Sequence, residues 1–284
     1  TALAILRAGA TPVFCDTDTH GLLDPVAAQR ALAEHPDIKA IVPVHLYGHL
    51  ADMQALQTLA DQHGVLIIED AAQAIGARRG RIGVADGGRI AALSFYPTKN
   101  LGVIGDGGAL LLHDADQARL AASLRNYGQT EKYVHDIIGL NSRLDELHAA
   151  TLSDAFLPRL TGWLDRRRRI AAGYLDRIAN PHVTPMPGPD REGGGWHLFP
   201  VLVAPERRDD FCAHLATAGV VTGFHYPVLI PDQRAITDQG QPLVTGDLAR
   251  ARHIAMAEVS LPIHPYLSDD EQARVIDAVN GWAG

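Results

Sequence analysis

Two rhythms of apolar residues alternate between residues 11 and 113. Short aliphatic and β-branched runs, "TPVFCD", "KAIVPVHL", "VLIIEDA", "IAALSF" and "GALLLHD", predict strands. Between the first three lie "PVAAQRALAEH" and "ADMQALQTLADQHG", whose apolar residues recur three and four apart and predict helices. Strand, helix, strand repeated in this way predicts an α/β fold with a mainly parallel sheet covered by helices on both faces. Ligands on such sheets sit at the carboxyl ends of the strands.

After "GALLLHD" the pattern changes. A helix is predicted over roughly 115–125, then a loop "NYGQTEKYVHDIIGLNSRLDE", then a long helical pattern from Leu144 to Ile178 interrupted at Pro158. "NPHVTPMPGPDREGGG", residues 180–195, reads as a linker or exposed loop. Beyond it "WHLFPVLVA", "ERRDDFCAHLATAG", "VVTGFHYP", "GDLARARHIAMAEV" and "SDDEQARVIDAVNGW" predict a smaller α+β unit. The division expected is a large domain over 1–160 and a small C-terminal domain over 161–284. "TALAILRAGATPVF" opens within a helix that runs straight into a strand, so a preceding N-terminal portion is expected.

Composition narrows the classes. A hydrophobic content of 46% supports a packed globular core, no apolar run reaches membrane-spanning length, and a formal charge of −8 argues against a nucleic-acid surface. Two cysteines, Cys15 and Cys212, fit the thiols of a reducing compartment, so a cytoplasmic protein is expected. The basic run "DRRRRI", Arg166 to Arg169, reads as a solvated helix face pairing with Asp165 and Asp176. His45 and His49 have the spacing of a helical metal pair, but Pro43 and Gly48 disfavour a helix there, and no metal is expected.

Lysine is scarce: Lys39, Lys99 and Lys132 are set against 22 arginines. Lys99 stands in "SFYPTKNLGVIGDGG", between a strand and a glycine-rich turn. Its alternatives are an exposed surface residue and a nucleophile, since a primary amine forms a Schiff base with an aldehyde and a guanidinium does not. "IIEDAAQA" ends a strand in Glu69 and Asp70, so Asp70 is either a helix cap or a carboxylate facing a cationic ring nitrogen. Glycines 102, 105, 107 and 108 suit a turn, and Ser94 is either a phosphate donor or a satisfied strand-end serine. His225 and Tyr226 of "GFHYP" are substrate contacts or packing.

Taken together, "IEDAAQA", "SFYPTKNLGVIGDGG", "RNYG" and "GLNSRLDELHAA" resemble the DegT/DnrJ/StrS family of sugar aminotransferases, and the likeness runs from "GATPVFCDTD" to "SLPIHPYLSDDE". The resemblance implies pyridoxal 5'-phosphate as cofactor and the aspartate-aminotransferase fold, type I among enzymes of that cofactor. Lys99 would bind the cofactor's aldehyde carbon, Asp70 its ring nitrogen, Gln73 its 3′-oxygen and Ser94 its phosphate. Asn141 would serve the phosphate of a neighbouring subunit's cofactor, which implies a homodimer with shared sites. Tyr127, Lys132, His225 and Tyr226 would line a sugar-nucleotide pocket. The implied reaction transfers an amino group from glutamate to a keto sugar nucleotide, with an aminocyclitol ketone as an alternative acceptor and a non-catalytic regulator on the same scaffold as the rival class. Lys99 argues against the related dehydratases, in which histidine takes its place. Family members carry a Gly-Thr pair and a ring-stacking aromatic upstream of the point where this chain begins. In "HYPVLIPDQ", Leu229 and Pro231 stand where many members have a second proline and a second histidine.

Overall fold

In the computed structural model, which describes residues 1–284, the expected strands assemble side by side. Ala40–Ile41 pairs in parallel with Leu66–Ile67, and the pairing continues as Asp70 donates its N–H to Pro43 and His45 donates to Asp70. Glu69–Asp70 then pairs in parallel with Ala91–Ala92 of the strand Ile90–Ser94. Gly108–Leu112 closes this side antiparallel to Ile90–Ser94, Ser94 facing Gly108. Val13–Phe14 pairs separately, in parallel, with Leu243–Val244. The expectation of a mainly parallel sheet holds.

The helices Pro25–Glu34 and Met53–His63 bury one face each. Ala28 and Leu32 from the first, and Leu56, Leu59 and Ala60 from the second, form one core with Ile41 and Ile67. Each starts on an aspartate whose carboxylate accepts a first-turn N–H: Asp24 from Val26 at 2.9 Å and Asp52 from Ala55 at 3.1 Å.

The long helical pattern survives Pro158. Glu146–Ala150 runs through a π-helical stretch, Thr151–Phe156, into the helix Leu157–Arg177. Proline lacks a donor and crowds the preceding turn, so the widened stretch just before Pro158 takes up the irregularity that would otherwise break the helix. Leu160 and Trp163 pack on Phe95, Leu101 and Leu152, whereas Ile170, Ala171 and Tyr174 belong to the C-terminal core. One helix therefore passes from one core to the next. The C-terminal core rests on an antiparallel sheet in the order Thr184–Pro185, Phe199–Leu202, Glu258–Leu261, covered by the helices Arg208–Thr217 and Asp269–Asn280. No helix is long and apolar enough to cross a membrane.

Two sequence expectations are corrected. Residues 180–195 are no exposed linker: Thr184–Pro185 is a strand, and Gly193 to Gly195 are buried. Gly193 accepts from the N–H of Arg78 at 2.7 Å, and Gly195 donates to Gly48 at 2.8 Å. Glycine permits this closeness; a Cβ on Gly48, which has φ of +93°, would lie 2.7 Å from the His197 nitrogen. The basic run is only in part the expected solvated face: Arg169 is exposed and Arg168 pairs with Asp165 at 3.1 Å, but the run also reaches inward. Arg167 is buried and donates to the carbonyls of Trp196, His197 and Ile263, and Arg168 donates to Gly194 and Gly76. Arg166 reaches Leu267 and Asp269, and Asp176 pairs with Arg191 instead. Three of the four arginines satisfy carbonyls of distant segments, which a helical pattern alone does not reveal.

Candidate active site

The loop between Ile90–Ser94 and Gly108–Leu112 is folded by its own backbone. Phe95 donates to Gly107, Val103 to Phe95, and Lys99 to Tyr96 at 2.8 Å. Gly102 sits where a Cβ would lie 2.7 Å from the carbonyl oxygens of Tyr96 and Pro97, so the tight turn that presents Lys99 requires a glycine there. Burial pulls the Lys99 pKa below the ordinary lysine value, and the Asp70 carboxylate opposes that shift. The Asp70 carboxylate, at the end of its own strand, thus stands near enough for its charge to act on the amine.

Glu69 and Asp70 are neighbours with different fates, because successive strand residues point to opposite faces. Glu69 is fully buried and accepts from the His45 ring and from the N–H groups of Ala85 and Gly88. Burial alone would raise its pKa, but these donors hold it below the usual carboxylate value. His45 is thereby a structural partner of Glu69, and His49 packs edge-on against Trp196 with neither ring nitrogen bonded. Asp70 faces the crevice. One of its oxygens accepts from Ala72 N–H at 3.1 Å and the other from the Thr1 hydroxyl.

Gln73, three residues beyond Asp70, holds the crevice to the C-terminal half. Its amide oxygen accepts from Tyr47 N–H at 2.6 Å, and its amide nitrogen donates to the Tyr226 hydroxyl at 3.2 Å. The Tyr47 hydroxyl donates to the His225 carbonyl at 2.9 Å. Burial and the Lys99 charge both lower the His225 pKa, and they push His197 down to about 3 together with Arg167 and His225. His197 lies 3.2 Å from the Asn100 amide oxygen, and Asn100 donates to Gly195 at 2.7 Å. The residue after Lys99 therefore latches the buried glycine segment.

Lys99 is linked electrostatically to Asp70 and His225, and Asp70 to Tyr226, while Gln73 bonds Tyr226, so the structure brings these five residues together. Ser94 closes its strand at the mouth of the same loop and accepts from Tyr96 N–H at 3.3 Å. Lys132 sits in the turn of the hairpin Gln129–Glu131/Val134–His135, Tyr127 precedes that hairpin, and Asn141 follows it, bridged back to Asn126. Asn141 is exposed and accepts from Arg143 at 3.2 Å. Lys132 lies over Tyr133, and Arg143 over Tyr127, so these contacts stay within the hairpin and its flanks. Tyr47, Asn100, His197, Glu258 and Ser260 were missed by the sequence reading. Only Asn100 carried a signal, through its adjacency to Lys99.

An amine, a carboxylate, a free amide hydrogen on Gln73 and a strand-end hydroxyl, gathered at the carboxyl ends of parallel strands, match the donor set a pyridoxal phosphate requires.

The model of the DegT/DnrJ/EryC1/StrS aminotransferase family matches residues 1–280. The chain is 46% identical to dTDP-3-amino-3,4,6-trideoxy-alpha-D-glucose transaminase of Streptomyces venezuelae, over 99% of this chain and 73% of that protein. It is 38% identical to UDP-N-acetyl-3-dehydro-alpha-D-glucosamine 3-aminotransferase of Acidithiobacillus ferrooxidans, over 98% of this chain and 73% of that one. Its fold superposes on the crystal structure of S. venezuelae DesV in complex with a ketimine intermediate with a TM-score of 0.93 and 44% identity, covering 99% of this chain and 75% of that one.

Proposed function

The chain belongs to the DegT/DnrJ/EryC1/StrS aminotransferase family, and from that membership we propose that it moves an amino group from glutamate to a keto sugar nucleotide with Lys99 as the catalytic amine. The observation that carries this reading is the gathering of Lys99, whose amine feels the Asp70 charge, with Asp70, Gln73 and Tyr226 at the carboxyl ends of parallel strands. Pyridoxal phosphate, when bound, supplies an aldehyde to carry the amino group and a ring that delocalises the electron pair left when a carbon loses its proton.

The residues of the chain do the rest. Lys99 Nζ would hold the cofactor's aldehyde carbon and, as a free amine, would move the proton between carbon atoms. Its lowered pKa suits that task, because a larger fraction is unprotonated near neutrality. Asp70 would hold the proton on the ring nitrogen through a charge-assisted hydrogen bond. Gln73, fixed by Tyr47 and Tyr226, has a second amide hydrogen for the ring oxygen, and Ser94 offers its hydroxyl to the phosphate. His225 and Tyr226 form the sugar side of the pocket.

We place the domain boundary near residue 160, where the long helix leaves one core and approaches the next. Exposed apolar side chains around the hairpin and the start of the long helix, Ile138, Leu140, Leu147 and Leu157 among them, support a homodimer in which Tyr127, Lys132 and Asn141 reach the partner's site. Both cysteines are free, which supports a cytoplasmic location.

The test is a panel of keto sugar nucleotides offered with glutamate, with the aminated sugar and 2-oxoglutarate both measured. Formation of the two in equal amounts is expected for at least one member. Absence of amino transfer across both dTDP- and UDP-linked ketones would overturn the reading.

A further inference from the structure

His225 enters the crevice with its inner polar groups committed. Its backbone N–H donates to Glu258 Oε2 at 2.7 Å, and its ring Nδ1 lies 2.9 Å from Ser260 Oγ. The Ser260 hydroxyl in turn donates to Glu258 Oε1. Glu258 and Ser260 are two apart on the strand Glu258–Leu261, so they share one face, and both are buried. Gly223 exchanges both backbone hydrogen bonds with Ser260, which pins the segment carrying His225 against this strand.

A hydroxyl has one proton to give. When Ser260 gives it to Glu258, the serine oxygen presents only lone pairs to His225, so Nδ1 must carry hydrogen. In a neutral imidazole the other nitrogen is then bare. Burial and the charge of Lys99 both disfavour a second ring proton. Burial pushes the Glu258 pKa up, while the Ser260 hydroxyl, the His225 N–H and the Arg208 charge favour the ionised carboxylate. The relay runs in this direction with Glu258 ionised; a protonated Glu258 would donate to Ser260, and Ser260 to Nδ1, moving the ring hydrogen to Nε2.

We propose that Glu258 and Ser260 are positioning residues that fix His225 as its Nδ1–H tautomer, leaving Nε2 as a hydrogen-bond acceptor for a hydroxyl of the bound sugar substrate. The substrate clause rests on the function proposed above; the tautomer clause does not.

The test labels the cofactor-loaded protein with ¹⁵N-histidine and reads which ring nitrogen of His225 carries hydrogen, with His225→Gln identifying its signals among the 14 histidines. Hydrogen on Nδ1 is expected, and hydrogen on Nε2 in the wild-type protein overturns the proposal. Glu258→Gln should move the hydrogen to Nε2, because the amide NH₂ now donates to Ser260 and reverses the relay. Should Glu258→Gln fold poorly, Ser260→Ala should leave a mixture of tautomers, and an unchanged single tautomer there would count against the relay. In kinetics either variant should raise KM for the keto sugar nucleotide by up to about tenfold, the weight of one hydrogen bond, with KM for glutamate and the visible absorbance of the cofactor unchanged. An unaltered sugar KM in both removes the substrate clause. A wild-type enzyme inactive on every keto sugar nucleotide removes the functional reading, while hydrogen on Nε2 in an active enzyme removes only this inference.

Discussion

The guanidinium of Arg167 donates to the carbonyl of Trp196 at 3.0 Å. The same nitrogen donates to His197 at 3.2 Å and Ile263 at 3.0 Å, and burial pushes the Arg167 pKa down to about 10. The long helix is thus tied at one point to the segment after the buried glycines and to the C-terminal loop. Replacing Arg167 by leucine leaves three buried carbonyls without a donor, and an unpartnered buried acceptor costs about 1–3 kcal/mol. Arg167→Leu should lower stability by at least about 3 kcal/mol in urea unfolding. A loss under ~1 kcal/mol would show that water or a neighbour satisfies those carbonyls as well as Arg167 does.

Acid should weaken the fold through His49. Burial lowers its pKa from 6.5 to about 4, and neither ring nitrogen has a partner. Between those values the unfolded chain binds a proton that the folded chain refuses, so stability falls as the pH drops from 6.5 toward 4. The depressed pKa corresponds to roughly 3 kcal/mol from this one group. His49→Leu removes the titration and leaves no hydrogen bond broken. Its unfolding free energy should therefore vary less steeply with pH over that window, by about one proton. Parallel slopes for the two proteins would assign the acid sensitivity elsewhere.

Arg167 and His49 also mark where sequence reading fails. Four consecutive arginines on a helix point in four directions, and which of them finds carbonyls depends on Trp196, His197 and Ile263, all distant in sequence. The glycines at 193–195 read as loop because composition cannot distinguish freedom to bend from room for another backbone to approach. Lys99 and Asp70 were legible for the opposite reason. Each chemical need permits few residue types; Asp70 ends a strand that local pattern alone predicts, and Lys99 stands in the loop that follows another. The partners of His225 lie 33 and 35 residues away on a strand the reading ran together with its preceding helix, and no local signal links them.

Lys99→Ala should abolish amino transfer, with a loss of about 10³-fold or more, since proton transfer by the amine is gone. Lys99→Arg should be as inactive, because a guanidinium stays protonated and cannot take up the aldehyde. Borohydride reduction of the loaded protein, followed by peptide mapping, checks the assignment. The reduced cofactor should map to Lys99, and attachment to Lys39 or Lys132 would move the catalytic role there.

Asp70→Asn keeps the shape of the side chain, and its amide oxygen can still accept from Ala72 N–H, so the fold should persist. The amide no longer carries the charge that holds a proton on the ring nitrogen, and loss of one such electrostatic partner costs about 10²- to 10³-fold in turnover. Stopped-flow absorbance with glutamate alone isolates the first half of the reaction. Near wild-type rates there would mean that another group keeps the nitrogen protonated.

The hairpin prediction concerns subunits. Asn141 is exposed, and its contacts are with Asn126 and Arg143 of its own chain. If it serves a neighbour's cofactor, a two-fold pair places one chain's Lys99 and the opposite chain's Asn141 in each site. Mixing a Lys99→Ala chain with an Asn141→Ala chain then yields heterodimers in which one site carries both defects and the other neither. Activity should rise on subunit exchange toward about half that of the wild-type dimer for each heterodimer formed. If Asn141 acted within its own chain, every site would keep one defect and mixing would restore nothing. Subunit exchange verified by mass, with no gain in activity, would therefore confine Asn141 to its own subunit.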